Sequence, residues 1–303
     1  MDDVSNFPKA GFADFGRILD PTACAKLRAW IAERRPVESS IFYKDEAEFR
    51  AKGRWKNYAP GRTDHNLLVE SNLDLSFVER NPAFIRNAEA LVGRGYGIMK
   101  KSIIRSVPTR VLPKWISDYV CDVGRPNLNP FIKDEFQDVQ YFHATDFHQD
   151  KTRPESNFVT VYVYLDDVTP EYSALRILRG SHKLGLTVYP HSLRRSQHDR
   201  RQWFYSDWNG NHEKCEEITI TGLAGTVSCF HCLTLHGTVL NDSPDPRISL
   251  RYLLTKAPEC REDTLLDQAN RAVFGPHKLL NTRLDVGQDG AFQRTGSSLL
   301  SYD

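Results

Sequence analysis

The chain has 303 residues, with 40 Lys+Arg set against 39 Asp+Glu for a formal charge of +1. That balance excludes nucleic-acid binding by bulk electrostatics and leaves room only for a local patch. At 40% hydrophobic and 26% charged residues the composition is that of a globular chain, long enough to bury roughly 75% of its unfolded surface without staples. No run of apolar residues is long enough to span a bilayer. The opening Met-Asp-Asp-Val-Ser-Asn carries acid where a signal peptide needs base, so a cytoplasmic protein is expected. Its six cysteines (Cys24, Cys121, Cys215, Cys229, Cys232, Cys260) are then free thiols. Cys229 and Cys232 form a single Cys-x-x-Cys between strand-like flanks, which reads as strand packing rather than zinc or redox chemistry.

Asp20-Pro21 starts a first helix, with a capping acceptor and a proline at the first helical position. Leu27, Trp30 and Ile31 recur at helical spacing, and Arg35-Pro36 ends it. Pro82 to Val92 repeats the pattern with Phe84, Ile85, Ala88 and Leu91 on one side. Pro113 to Val120 reads as a third, short helix. The period then changes. Phe158 to Leu165 alternates β-branched and aromatic residues, as a strand does. Leu175 to Leu178, Ile218 to Thr221, Thr226 to Leu235 and Ile248 to Leu254 are further strands between Gly-, Pro- and Asp-rich turns. Such a run predicts a mainly β fold with flanking helices and an antiparallel jelly-roll core. One domain over 1–303 is expected: a partly helical part to about 135, the core at about 136–256 and an extension at 257–303. Tyr189 to Cys215, rich in basic and aromatic residues, reads as a long insertion into that core.

Phe147-His148-Gln149-Asp150 is the sharpest local feature. On an extended strand residues i and i+2 share a face, so His148 and Asp150 can reach one point. His236, after a predicted strand, is the best third ligand among the ten histidines. Two His and one carboxylate make a facial triad suited to non-haem Fe(II) and oxygen chemistry. Arg247 lies eleven residues beyond His236, where a guanidinium can take a carboxylate through paired hydrogen bonds. Without that context Arg247 would read as a turn residue paired with Asp242 or Asp245.

His148-Gln-Asp150, Leu165-Asp-Asp-Val-Thr-Pro-Glu171, Arg179-Gly-Ser-His-Lys183 and His236-x4-Asn241-x-Ser243-x3-Arg247 together resemble the phytanoyl-CoA dioxygenase family. Gly11-Phe12 through Leu27 resembles that family's opening strand and helix. The resemblance is specific from about Asp146 to Leu254. It implies a double-stranded β-helix (jelly roll, cupin-like) holding Fe(II), with 2-oxoglutarate as cosubstrate and O2 as oxidant. His148, Asp150 and His236 match the iron ligands, and Arg247 matches the residue that binds the distal carboxylate of 2-oxoglutarate. Thr238 matches an assisting hydroxyl, Tyr162 an aromatic beside the cosubstrate, and Gln140 a cosubstrate or substrate contact. Gly180-Ser-His182 is a family signature that reads as a turn.

Two departures stand out. Many members carry a lysine on the strand before His-x-Asp, and Phe136 to His143 has none. The usual Asn-Gly turn is Tyr172-Ser173. A carboxylate at Asp150, where related halogenases carry a small residue, implies hydroxylation or a related oxidation. The resemblance thus implies a dioxygenase that oxidises an unactivated C–H bond of a small molecule, with release of succinate and CO2, in specialised metabolism. An acyl-CoA substrate, a metal-binding cupin-like protein (isomerase or sugar-binding) and an interaction module are the alternatives. Arg201, Trp203 and Tyr205 are the candidate substrate residues, with Trp55, Tyr58 and Arg62 at the same mouth. The expected partner is a small molecule, with neither nucleic acid nor membrane; a homodimer is left open.

Overall fold

The computed structural model describes residues 3–52, 66–123, 128–150, 157–187, 191–208 and 210–273. Twelve strands follow in chain order: β1 (Phe12–Arg17), β2 (Gly97–Ser106), β3 (Gln140–Phe142), β4 (Thr145–His148), β5 (Val159–Tyr164), β6 (Leu175–Arg179), β7 (His191–Arg195), β8 (Gln202–Asp207), β9 (His212–Ile220), β10 (Thr226–His231), β11 (His236–Thr238) and β12 (Arg247–Thr255). They form two six-stranded sheets, in the orders β1-β10-β5-β12-β2-β3 and β4-β11-β6-β9-β8-β7. All pairings are antiparallel except β2 with β3. The architecture is a double-stranded β-helix, mainly β with flanking helices.

Strand alternation sorts the core. Tyr162 and Tyr164 of β5 point between the sheets, where they meet Leu175, Ile177 and Ile220 of the second sheet with Phe12, Ile104 and Phe230. Val159, Val161 and Val163 point the other way. They join Ile248, Leu250, Tyr252 and Leu254 of β12 beneath the helices, where Leu27, Ile31, Phe84, Ala88 and Leu91 complete the cluster. The helix predicted from Asp20-Pro21 spans Pro21–Arg34, and the one predicted from Pro82 spans Pro82–Val92. Asp20 accepts hydrogen bonds from the Thr22 and Ala23 N–H groups, and Asn81 from those of Ala83 and Phe84. These caps satisfy donors that a helix start leaves orphaned. The third predicted helix runs Lys114–Val123.

Three elements were not expected. Within the segment read as an insertion, β7, β8 and the start of β9 form a meander that extends the second sheet. The N-terminal part supplies β2, a ten-residue strand paired along its length with β12. The polar stretch after Lys256 contains a helix, Leu265–Arg271, closed by a capping box of Thr264 and Asp267. Cys229 and Cys232 are buried and form no disulfide. No helix among the described residues is long and apolar enough to cross a membrane.

Candidate metal centre

β4 is the edge strand of the second sheet, and β11 lies beside it with His236 opposite His148. Residues opposite one another on an antiparallel ladder share a face, and the two imidazole centroids are 4.3 Å apart. The chain stays in line past β4 because the Asp150 N–H donates to the Cys232 carbonyl at 3.1 Å. Asp150 Oδ1 thereby comes within 3.6 Å of His236 Nε2. His148, Asp150 and His236 each offer a ligating atom, all within 4.8 Å of one another. Two imidazole nitrogens and one carboxylate oxygen at this spacing fit a divalent transition metal bound on one face, leaving further positions open. No other group of three His, Cys, Asp or Glu among the described residues comes together in this way.

The surroundings orient each donor. His236 Nδ1–H donates to the Thr234 carbonyl at 2.9 Å, which leaves the Nε2 lone pair for the metal. Burial keeps this imidazole below its ordinary pKa, hence neutral as a ligand must be, although Asp150 pulls the other way. Thr160 Oγ1 donates to Asp150 Oδ2 at 2.7 Å, and Arg251 Nη2 lies 3.0 Å from Oδ1. Burial opposes the charge on Asp150, but Arg251, the two histidines and Thr160 outweigh it and bring the carboxyl down to about 2. Gln149 points to the opposite side of the strand from its two neighbours. Its amide donates to the Gly185 and Leu233 carbonyls, both at 2.7 Å, and its oxygen accepts from the Thr187 N–H at 3.0 Å. The Gly180-Ser-His182 segment, expected as a turn, is the start of a short 3-10 helix, Ser181–Leu184, entered through Gly180 at φ 77°. Ser181 accepts from the Leu235 N–H and so steadies the residue before His236.

From this centre a line of side chains runs inward along β5 and β12. On β5 it passes Thr160, Tyr162 and Tyr164. On β12 Arg251 lies opposite Tyr162, and Ser249 opposite Tyr164. Arg247 comes two residues beyond Ser249. It is 2% exposed, donates to Ser249 Oγ, and stands with its guanidinium carbon 5.6 Å from the Tyr164 ring centroid. Its Nε is buried without a hydrogen-bond partner, and among the described residues it makes no ion pair. A buried guanidinium with donors to spare is suited to a carboxylate. Tyr162 is buried near both arginines, and burial pushes its phenol up to about 12.

The structure brings His148, Asp150, His236, Tyr162 and Arg247 onto the two faces that line this space. Thr238 follows His236 by two on β11 and is buried. Gln140 is buried and reaches Arg251 Nη1 at 3.5 Å rather than a ligand atom. Trp203 and Tyr205 are not gathered here. Trp203 packs edge-on against Phe147, which precedes His148 and faces away from the metal, and donates to Glu217 at 2.6 Å. Tyr205 is buried in the same outer cluster. The Arg201 side chain is 73% exposed on that hairpin. Trp55, Tyr58 and Arg62 lie outside the described residues.

Sequence reasoning missed Thr160 and Ser249. Arg251 shares the face of Arg247, since four residues along a strand preserve the face. The period-two series Arg247, Ser249, Arg251 was the available signal.

The phytanoyl-CoA dioxygenase (PhyH) family model matches residues 7–249. A probable alpha-ketoglutarate-dependent hypophosphite dioxygenase of Stutzerimonas stutzeri is 33% identical over 111 residues, which cover 36% of this chain and 37% of that protein. An ectoine dioxygenase of Bordetella parapertussis is 23% identical over 190 residues, covering 56% of this chain and 62% of the relative. Both matches thus span less than two thirds of the relative's length. Among solved structures, EvdO2 of Micromonospora carbonacea var. aurantiaca shares the fold with a TM-score of 0.50 at 17% identity, covering 86% of this chain and 92% of that one. The family match extends from the N-terminal segment through all three candidate ligands and Arg247, and the chain belongs to the phytanoyl-CoA dioxygenase family.

Proposed function

We propose that the chain is an Fe(II)- and 2-oxoglutarate-dependent dioxygenase that oxidises a C–H bond of a small molecule. The observation that carries this reading is the pairing of two features in one interior space. One is the His148-Asp150-His236 cluster, with ligating atoms within 4.8 Å of one another. The other is the buried, unpaired Arg247 further along the same face. A cupin-like isomerase or sugar-binding protein would have no need of the arginine.

His148, Asp150 and His236 would hold Fe(II), which together with 2-oxoglutarate and O2 supplies the oxidising power and yields succinate and CO2. The remaining work is the protein's own. Arg247 and Ser249 would take the distal carboxylate of the cosubstrate, assisted by Thr238, and Tyr162 would flank its chain. A cosubstrate fixed at its far end is oriented before oxygen arrives. Tyr162, Tyr164, Phe230 and Ile177 wall the space with apolar surface, which excludes water and strengthens the charged contacts within it. Two curated relatives are named for hypophosphite and ectoine, and a free small molecule, rather than an acyl-CoA, is the substrate class in keeping with those names. Specialised metabolism is the setting we infer for it.

Anaerobic addition of Fe(II) and then 2-oxoglutarate to the purified protein tests the reading. A weak visible charge-transfer band should form, and His148→Ala should lose it while keeping the far-ultraviolet spectrum of the folded protein. Folded wild-type protein without the band would refute the assignment.

A further inference from the structure

The Arg251 guanidinium is committed on one side only. Nη2 meets Asp150 Oδ1 at 3.0 Å and Nη1 reaches Gln140 Oε1 at 3.5 Å, while Nε is buried with no partner. Its position matters as much as its contacts. Along β12 it lies opposite Tyr162, between the level of Thr160, which touches Asp150, and that of Ser249, which touches Arg247. A ligand stretched from Arg247 to the metal ligands must therefore pass Arg251. The strand before His-x-Asp carries no lysine, so no cation from that side serves the passage.

Charge counting defines a role. A divalent metal on two neutral histidines and one carboxylate carries a net +1. A fixed guanidinium against that carboxylate opposes the bare metal and competes with it for Oδ1. Once a keto acid chelates the metal through its carboxylate and ketone, the added negative charge cancels that excess and sets a second carboxylate within reach of the same cation. We propose that Arg251 is an anion-binding positioning residue: it holds Asp150 while the site is empty and turns part of its donor set to the metal-side carboxylate of the bound 2-oxo acid. Gln140, which accepts from Arg251 and from Ser102, keeps the guanidinium in this plane. Arg251 thus makes metal binding and keto-acid binding mutually dependent, whereas Arg247 reads only the far end of the cosubstrate. The inference rests on the dioxygenase reading above.

Two keto acids separate the two arginines. Pyruvate has the metal-side half of 2-oxoglutarate and lacks its distal carboxylate. Full-length wild-type, Arg251→Gln, Arg251→Lys and Arg247→Ala proteins would be titrated anaerobically with Mn(II) alone, then with 2-oxoglutarate or pyruvate at saturating Mn(II), by calorimetry. Arg251→Gln should bind bare Mn(II) as tightly as wild type or severalfold more tightly. It should bind both keto acids more weakly by a common factor of roughly ten or more, the worth of a charge-assisted hydrogen bond. Arg251→Lys should recover part of that loss. Arg247→Ala should weaken 2-oxoglutarate and leave pyruvate unchanged. If Arg251→Gln weakens bare Mn(II) and leaves both keto acids at wild-type affinity, Arg251 is only a prop for Asp150 and the inference fails. If wild-type protein binds Mn(II) but neither keto acid, the dioxygenase reading itself fails, which is a separate outcome.

Discussion

Asp150 has both carboxylate oxygens engaged, one by Thr160 and one by Arg251, and Arg247 has an unpaired Nε. These two residues sit at opposite ends of the same interior line and predict opposite kinds of loss. Arg247→Ala removes a charge-assisted pair of about 1.5–3 kcal/mol. It should raise the dissociation constant of 2-oxoglutarate by roughly ten- to hundredfold, measured at saturating Mn(II), with little effect on the metal. His182 supplies a different prediction. It is fully buried, its Nε2–H donates to the Pro8 carbonyl, and the His231 ring lies 5.4 Å away. Burial, with a smaller contribution from Lys183 against the Pro8 bond, pushes its pKa down to about 4 from 6.5. The unfolded chain therefore binds a proton that the folded protein refuses between those values, so stability falls as pH drops through that window and the effect levels off below it. The loss attributable to His182 is up to about 3 kcal/mol. Urea denaturation at several pH values should show a shallower decline in His182→Gln than in wild type; parallel profiles would remove this assignment. The triad and Arg247 were legible because each sits in a motif of fixed spacing. Thr160 and the contact of Arg251 with Asp150 were not, because they come from cross-strand register.

Elements that alternate cleanly, such as β5, could be read from the sequence, and so could the helices marked by Asp20-Pro21 and by Pro82. β2 could not. Its first half, Ile-Met-Lys-Lys, is largely exposed and only its second half is buried, so neither a period of two nor one of 3.6 dominates. β7 and β8 were hidden by the arginines and aromatics of their outer face. There the outer-facing Glu217, only 9% exposed, meets Arg176, Arg195 and Trp203, an arrangement that composition alone suggests is a loop. The turn before β6 is also informative. Ser173 adopts φ 50°, and its buried hydroxyl has no partner. Ser173→Gly should relieve a left-handed strain of about 1 kcal/mol and remove an unsatisfied polar group. The expected result is a higher thermal midpoint, by calorimetry, with keto-acid affinity unchanged. A lower midpoint would mean that the serine earns its place through the unfolded chain.

At the scale of the whole molecule the centre joins parts that are remote in sequence. Its candidate ligands come from β4, the residues just past its end, and β11 on one sheet, while Thr160, Arg247 and Arg251 come from β5 and β12 in the other. Ligands bound across the two sheets should therefore stabilise the entire fold. At a hundredfold excess over its dissociation constant a single ligand contributes about 2.7 kcal/mol. Mn(II) should raise the melting temperature of wild-type protein, and 2-oxoglutarate should raise it further only when Mn(II) is present. His148→Ala should show neither shift, and a 2-oxoglutarate response without metal would contradict the chelate. The jelly-roll class was readable from the many short strands; the assignment of β1 and β2 to the first sheet became visible only with the pairing in hand.

Gln149 lies between two metal ligands yet belongs to the other side of the strand, where one amide ties together the backbones at Gly185, Thr187 and Leu233. A glutamate there would be nearly the same shape but would offer no donor to two carbonyl oxygens. The centre would then keep every atom that touches metal and lose the frame that aims them. Hydrolysis of one side-chain amide that never meets the ligand should therefore loosen the centre while leaving its three donors chemically intact.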